Sequence, residues 1–262
     1  MTTNGSTTSG STGTGSVRTD QGSGGSVRPV LLVHGAWHGA WSWAGLQSRL
    51  DGLGVPSWAV ELPGHGISSE SLGDLSGDAD AVVAALERSG PDTVLVGHSY
   101  GGAVISQASA RTSNVGHLLY IAAFALESGE SVNGFLRAAP RHRVELADIM
   151  IPVDAATVLD TGRAGDLLYG GLSSAQRSAM VRRLSPQPNA TMTQTLDGSG
   201  LGRTPSTYLL CTRDRAVHPE HQRIMAARCA ETIELDHDHS PFLDDPDLVA
   251  GIIARIAMSR TH

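Results

Sequence analysis

Six short, largely apolar runs recur along this chain, rich in β-branched residues and separated by stretches with helical spacing. The runs are Val30–Val33, Ser57–Val60, Thr93–Val96, Leu118–Ala122, Thr207–Leu210 and Thr232–Leu235. Runs of four or five residues without regular polar alternation predict strands buried on both faces. The helical stretches pass through Leu46 and Leu50 to Leu53, closed by Gly54, and over Asp74–Ser89 with Ala79, Val82, Val83 and Leu86 on one side. Further helices are predicted over Gly102–Ala110 and about residues 219–230 and 245–258. Strands and helices that alternate at this spacing specify an α/β fold: a mainly parallel sheet of about six strands with helices on both faces.

Two segments depart from that rhythm. In the first 26 residues, 20 are Gly, Ser or Thr, so residues 1–28 are expected to be a flexible polar tail outside the fold. Residues 125–204 show no clear buried strand. They carry helical fragments at Ala164–Tyr169 and Ala175–Leu184 and are punctuated by Pro140, Pro152, Pro186 and Pro188. This stretch is expected to be a helical cap inserted into one α/β core formed by residues 29–124 and 205–262.

Composition removes several chemistries. All 19 cationic residues counted as Lys+Arg are arginine, so Schiff-base catalysis, a lysine base and a P-loop of the usual kind are excluded. The guanidinium cannot serve as a base because it stays protonated. A net charge of −7 argues against nucleic acid as a partner. Cys211 and Cys229 are expected to be separate free thiols, since two cysteines make neither a disulfide framework nor a thiolate zinc site. No apolar run reaches 18 residues, and residues 1–29 lack the basic start and apolar stretch of a secretory signal. A soluble cytoplasmic protein with no membrane partner is the expectation; oligomeric state is not legible.

The segment Gly97-His98-Ser99-Tyr100-Gly101 fits the G-x-S-x-G pattern. In a chain with 31 glycines a bare match decides little. Its position carries the weight: it follows a buried-strand run directly and opens a helix, where a sharp turn exposes a strained serine hydroxyl. Ser99 is the expected nucleophile, with Gly97 and Gly101 supporting because a Cβ at either would strike neighbouring backbone.

A serine nucleophile needs a base, and the base an orienting acid, in the chain order Ser, acid, His. Asp214 follows the Thr207–Leu210 strand and is the expected acid. After Thr232–Leu235 come His237 and His239. His239 is the expected base, because His237 lies too near the strand end to swing back. Asp236 and Asp238 read as solvated loop charges. An oxyanion hole is also required. His34-Gly35-Ala36-Trp37 follows the first strand, so the N–H of Ala36 is one expected donor and the N–H of Tyr100, opening the helix after Ser99, the other. Gly35 lets the loop approach, and His34 is expected to tie it down without transferring protons. His65 reads as a loop residue, and most of the four tryptophans as packing.

These motifs resemble the α/β-hydrolase superfamily, and within it the plant-type methylesterase and hydroxynitrile lyase group with its bacterial relatives. The resembling pieces are VLLVHGAWHGAWSW at 30–43, ELPGHG at 61–66, VLVGHSYGG at 94–102, YIAAF at 120–124, LLCTRD at 209–214 and HSPFLDDP at 239–246. The resemblance implies an α/β-hydrolase fold, the triad Ser99, Asp214 and His239, and a cap over an apolar pocket; no cofactor and no metal are expected. In the lyases of this group a lysine follows the catalytic histidine and a threonine follows the strand-end histidine. Here those places hold Ser240 and Gly35, which disfavours cyanohydrin chemistry.

The expected function is therefore hydrolysis of small to medium, largely apolar carboxylic esters. A lactone or polyketide-type ring is the alternative substrate. A small-ligand binding protein with incidental hydrolysis is the reading from another class, and the complete triad argues against it.

Overall fold

The computed structural model describes residues 1–5, 27–65 and 73–259, and in it the chain opens with β1 (Val30–Val33), α1 (Ala44–Gly52) and β2 (Ser57–Val60). It continues through α2 (Leu75–Ser89), β3 (Thr93–His98), α3 (Gly101–Ala108) and β4 (Val115–Ile121). The inserted stretch holds α4 (Val132–Ala138), β5 (Met150–Val153), β6 (Ala156–Leu159), α5 (Thr161–Leu168), α6 (Ser174–Val181), β7 (Gln187–Pro188) and α7 (Asn189–Thr193). The chain then returns through β8 (Ser206–Cys211), α8 (Pro219–Ala226), β9 (Glu231–Leu235), α9 (Pro241–Asp244) and α10 (Pro246–Met258). Most of the expected polar tail, and Gly66 of the PGHG turn, lie outside the described residues.

Six strands form one parallel sheet in the order β2-β1-β3-β4-β8-β9. Alternate strand residues enter two separate apolar layers. Leu31, Val33, Leu95, Leu118 and Tyr120 pack with Val82 and Leu86 of α2 and Val104 of α3. Val30, Leu32, Val94, Val96 and Leu119 pack on the other face with Leu46 and Leu50 of α1 and Ile253 of α10. Both faces are dry, which is why the strand runs carry no polar alternation. Each such side chain contributes roughly 1.5–3 kcal/mol through burial.

The insertion is not wholly helical. It contains a three-stranded antiparallel sheet in the order β5-β6-β7. All four residues of β5 are exposed, and Pro152 and Pro188 occupy the two strands that flank β6. Proline is tolerated at a sheet edge because an outward position needs no N–H donor. An exposed strand broken by proline has no buried run to betray it. Among the insertion's apolar residues, Ile149, Leu159, Leu167 and Leu168 are buried, whereas Met150 and Ile151 are exposed. Among the described residues no helix is long and apolar enough to cross a membrane.

Candidate active site

From β1 the chain passes outward to β2 and returns to β3 on the opposite side of β1. The loops that follow β1 and β3 therefore meet where the strand order reverses, the place where open α/β sheets form crevices. Ser99, directly after β3, has φ +52°. A left-handed serine costs on the order of 1–3 kcal/mol and persists only where its surroundings enforce it. The enforcement is visible: Ser99 N–H donates to Ile121 O at 3.2 Å, and Ser99 O accepts from the N–H groups of Gly102 and Phe124, each at 3.0 Å. A Cβ on Gly97 would lie 2.6 Å from Gly101 O, and one on Gly101 would lie 2.6 Å from both Val33 O and His34 O. Neither glycine can acquire a side chain without moving the turn.

Asp214 and His239 come together from the loops after β8 and β9. His239 Nδ1–H donates to Asp214 Oδ2 at 2.7 Å, and both side chains are buried. The other carboxylate oxygen, Oδ1, accepts from the N–H groups of Ala216 and Val217 at 2.7 and 2.9 Å. Gln222 of α8 completes the cradle. Its Nε2 donates to Asp214 Oδ2 at 2.8 Å and to Val217 O at 2.8 Å, and its Oε1 accepts from Cys211 N–H at 3.0 Å. On the far side, His98 Nε2–H donates to His239 O at 2.9 Å, and the two rings lie 4.6 Å apart. The residue preceding Ser99 thus anchors the loop of His239. His237 points elsewhere, with its Nε2 4.0 Å from Asp245 Oδ2. Asp236 is exposed beside Arg213. Among the described residues Ser99 Oγ has no protein hydrogen-bond partner, and Ser99 lines a cavity.

His34 Nε2 accepts from Leu62 N–H at 3.2 Å, which assigns the ring proton to Nδ1; that nitrogen donates to Gly35 O at 2.9 Å. Burial lowers its pKa to about 3, so the ring is a neutral strut. A Cβ on Gly35 would lie 2.9 Å from Ser99 Cβ, so only glycine brings this loop against the serine. Among the described residues the N–H groups of Ala36 and Tyr100 donate to no protein acceptor. Tyr100 opens α3, whose N-terminal partial charge favours an anion there.

The cavity measures about 450 Å³ and is bounded by Ala36, Trp37, Ser99 and Phe124 on the core side. Leu136, Leu146, Met150 and Met192 line it from the insertion, with Asn133, Thr157, Asn189 and Thr193 as polar points. An apolar pocket with a few polar groups suits a largely apolar small molecule. Of the tryptophans, Trp43 is packed on Phe242 at 4.1 Å and Trp37 lines the cavity, whereas Trp58 is exposed. His65 is buried and contacts Gln187. Cys211 and Cys229 are free thiols. Among the described residues no group of three His, Cys, Asp or Glu is placed to hold a metal ion.

Sequence reasoning missed Gln222, His38, Asp78, Tyr169 and Gln187. They are polar residues within helices, loops or short strands, and no motif marks them. Each becomes visible only through the partner that folding brings to it.

A model of the alpha/beta hydrolase family matches residues 30–252. The chain is 31% identical over 244 residues to Alpha/beta hydrolase nvfD of Aspergillus novofumigatus, covering 87% of this chain and 96% of that one. It is 25% identical over 252 residues to Methylesterase 9 of Arabidopsis thaliana, covering 88% and 98%. Among solved structures, a pyrethroid hydrolase from Sphingobium faniae superposes with a TM-score of 0.77 at 21% identity, covering 88% of this chain and 98% of that one. At that identity the likeness speaks for the fold alone.

Proposed function

The chain belongs to the alpha/beta hydrolase family, and from that premise we propose that it hydrolyses small to medium, largely apolar carboxylic esters through an acyl-enzyme on Ser99. The observation that carries this reading is the buried 2.7 Å bond from His239 Nδ1–H to Asp214 Oδ2. It commits the ring proton to Nδ1 and leaves Nε2 as the acceptor that a serine hydroxyl needs. Methylesterase 9, a relative over most of both chains, points the same way.

In the proposed reaction Ser99 Oγ attacks the ester carbonyl as His239 Nε2 takes its proton. The carbonyl oxygen becomes an oxyanion held by the N–H groups of Ala36 and Tyr100, with the α3 terminus adding favourable potential. Collapse of the tetrahedral species breaks the bond to the alkoxy oxygen, which leaves as the alcohol with the proton from His239. Water then repeats the sequence on the acyl-enzyme, giving the acid and restoring Ser99. The unpaired Ala36 and Tyr100 donors support this reading, because a buried N–H without a partner is costly unless a ligand completes it. The apolar cavity beside Ser99, covered by residues 125–204 as a cap, supports the substrate class.

A panel of chromogenic linear esters and lactones of matched carbon number, assayed on wild type and Ser99→Ala, tests the proposal. Linear esters should be turned over by wild type and not by the variant, and a fluorophosphonate should phosphonylate Ser99 alone, with release of fluoride. Ester turnover by Ser99→Ala at the wild-type rate would sink the proposal; a preference for lactones would move the substrate class to cyclic esters.

A further inference from the structure

Two successive peptide groups make the loop after β1, and side chains pin both. The Gly35–Ala36 peptide carries the Ala36 N–H, and its carbonyl is held by His34. The Ala36–Trp37 peptide is held at both ends: His38 Nδ1–H donates to Ala36 O at 2.7 Å, and Trp37 N–H donates to Gln187 Oε1 at 3.1 Å. The strut from His34 comes from within the loop. The others lead into the insertion, because Gln187 lies in β7 and His38 Nε2 accepts from Tyr169 O–H at 2.8 Å, at the end of α5.

The loop needs such support. Trp37 has φ +61°, a left-handed conformation that a bulky residue adopts only under constraint. The insertion supplies that constraint three more times: Ser185 N–H and Oγ–H donate to Trp37 O at 2.9 and 3.4 Å, and Trp37 Nε1–H donates to Thr157 O at 3.1 Å. Gln187 itself cannot turn. Its Nε2 donates to Thr191 Oγ1 at 2.6 Å, whose own proton goes to Pro188 O, and its Oε1, which accepts from Trp37 N–H, lies 3.0 Å from His65 Nε2. The amide is therefore fixed with its oxygen toward Trp37.

We propose that Gln187, together with Tyr169 acting through His38, is a positioning residue for the oxyanion hole, so that the insertion holds the Ala36 N–H in its working direction. This rests on the serine-hydrolase reading of the site. If Trp37 relaxes to negative φ, the path of the chain at Ala36 shifts, and the Gly35–Ala36 peptide that carries the Ala36 N–H tilts with it. A donor turned away is a donor lost, and losing one costs about 10²–10³ in turnover. Partial misalignment costs less. The insertion is then a fixed wall of the reacting site, and not a lid that can leave while catalysis continues.

The test compares kcat, KM and thermal unfolding for wild type, Gln187→Met, Gln187→Glu and Tyr169→Phe on one chromogenic ester. Gln187→Met should lower kcat on the order of 10–100-fold with KM within threefold. Gln187→Glu, which keeps an acceptor for Trp37 N–H but sets its second oxygen against Thr191 Oγ1, should recover part of that loss. Tyr169→Phe removes one hydroxyl and should lower kcat by about 3–10-fold, carrying the test if Gln187→Met fails to fold. Inhibition by a trifluoromethyl ketone, whose serine adduct bears the oxyanion, should weaken in parallel with kcat/KM, while inhibition by the product acid should not. A loss confined to KM, or wild-type kcat in both Gln187→Met and Tyr169→Phe, would overturn the proposal. Failure of the underlying reading shows itself separately, as full activity in Ser99→Ala or no ester turnover by wild type.

Discussion

The two flanks of the site are held in different ways. On one flank, Asp214 and His239 are fixed by the loops after β8 and β9, by Gln222 of α8 and by His98 of β3. All of these belong to the elements of the parallel core. On the other flank, the loop carrying Ala36 takes His34 from the core, but Gln187, Tyr169, Ser185 and Thr157 reach it from the insertion. The Asp214–His239 pair is thus set by the sheet, whereas the loop proposed to hold the oxyanion is set jointly by the sheet and a segment that also lines the cavity. On the proposed reading, a sequence change that reshapes the pocket through residues 125–204 should act on the rate as well as on substrate choice, while leaving the Asp214–His239 pair intact.

The largest expected effect lies on the core flank. Asp214→Asn should lower kcat by about 10³–10⁴-fold with little change in KM, because the acid no longer selects the tautomer that frees His239 Nε2. Steady-state kinetics on a chromogenic ester measures it, and a loss below tenfold breaks the assignment of Asp214. Next comes Gln222→Leu, which removes a buried donor to Asp214 and three backbone contacts. It should reduce kcat about tenfold and destabilise by about 1–3 kcal/mol, read by kinetics and urea unfolding. If stability falls and kcat does not, Gln222 supports only the fold.

The smallest effect concerns Asp78, which lies behind Tyr100. Its Oδ2 accepts from Tyr100 O–H at 2.6 Å, its Oδ1 has no hydrogen bond, and burial raises its pKa from 3.8 to about 7. Between those values the folded chain holds a proton that the unfolded chain has released, so this group makes stability fall as pH rises from about 4 to 7. Asp78→Asn should gain on wild type across that window and level off above it. Histidines act in the opposite sense: burial lowers His34 to about 3 and His38 to about 4, so they add stability as pH rises toward 6.5. Urea unfolding at pH 5 and pH 8 should show the variant gaining more than wild type on going to the higher pH. Equal gains would mean that Asp78 is ionised at both. Because only the backbone of Tyr100 is assigned to the reaction, kcat should change by less than threefold.

The legible parts of the molecule share a physical cause. Buried strands and amphipathic helices write their environment into the chain as apolar runs, so the six-strand core was readable within a few residues. Ser99, Asp214 and His239 follow strand ends, where the fold repeats a spacing, and His34 opens the loop after β1. The helix at Val132–Ala138 and the strands of the insertion were not readable. The β5 strand is exposed, and β7 is two residues long, so neither leaves a hydrophobic signature. Gln187 and Gln222 are hidden for a related reason: their importance lies in partners 150 and 8 residues away, and local sequence does not encode who those partners are.

The left-handed turn at residue 99 sets two selective pressures against each other. Glycine adopts φ +52° without the penalty that serine carries, and relief of that strain is worth about 1 kcal/mol. A screen that rewards only heat resistance would therefore drift toward Ser99→Gly and collect a sturdier protein that, on the proposed mechanism, is inert. Any campaign to harden this scaffold has to score turnover at every round, because the position it is proposed to need most is among those it holds at a cost.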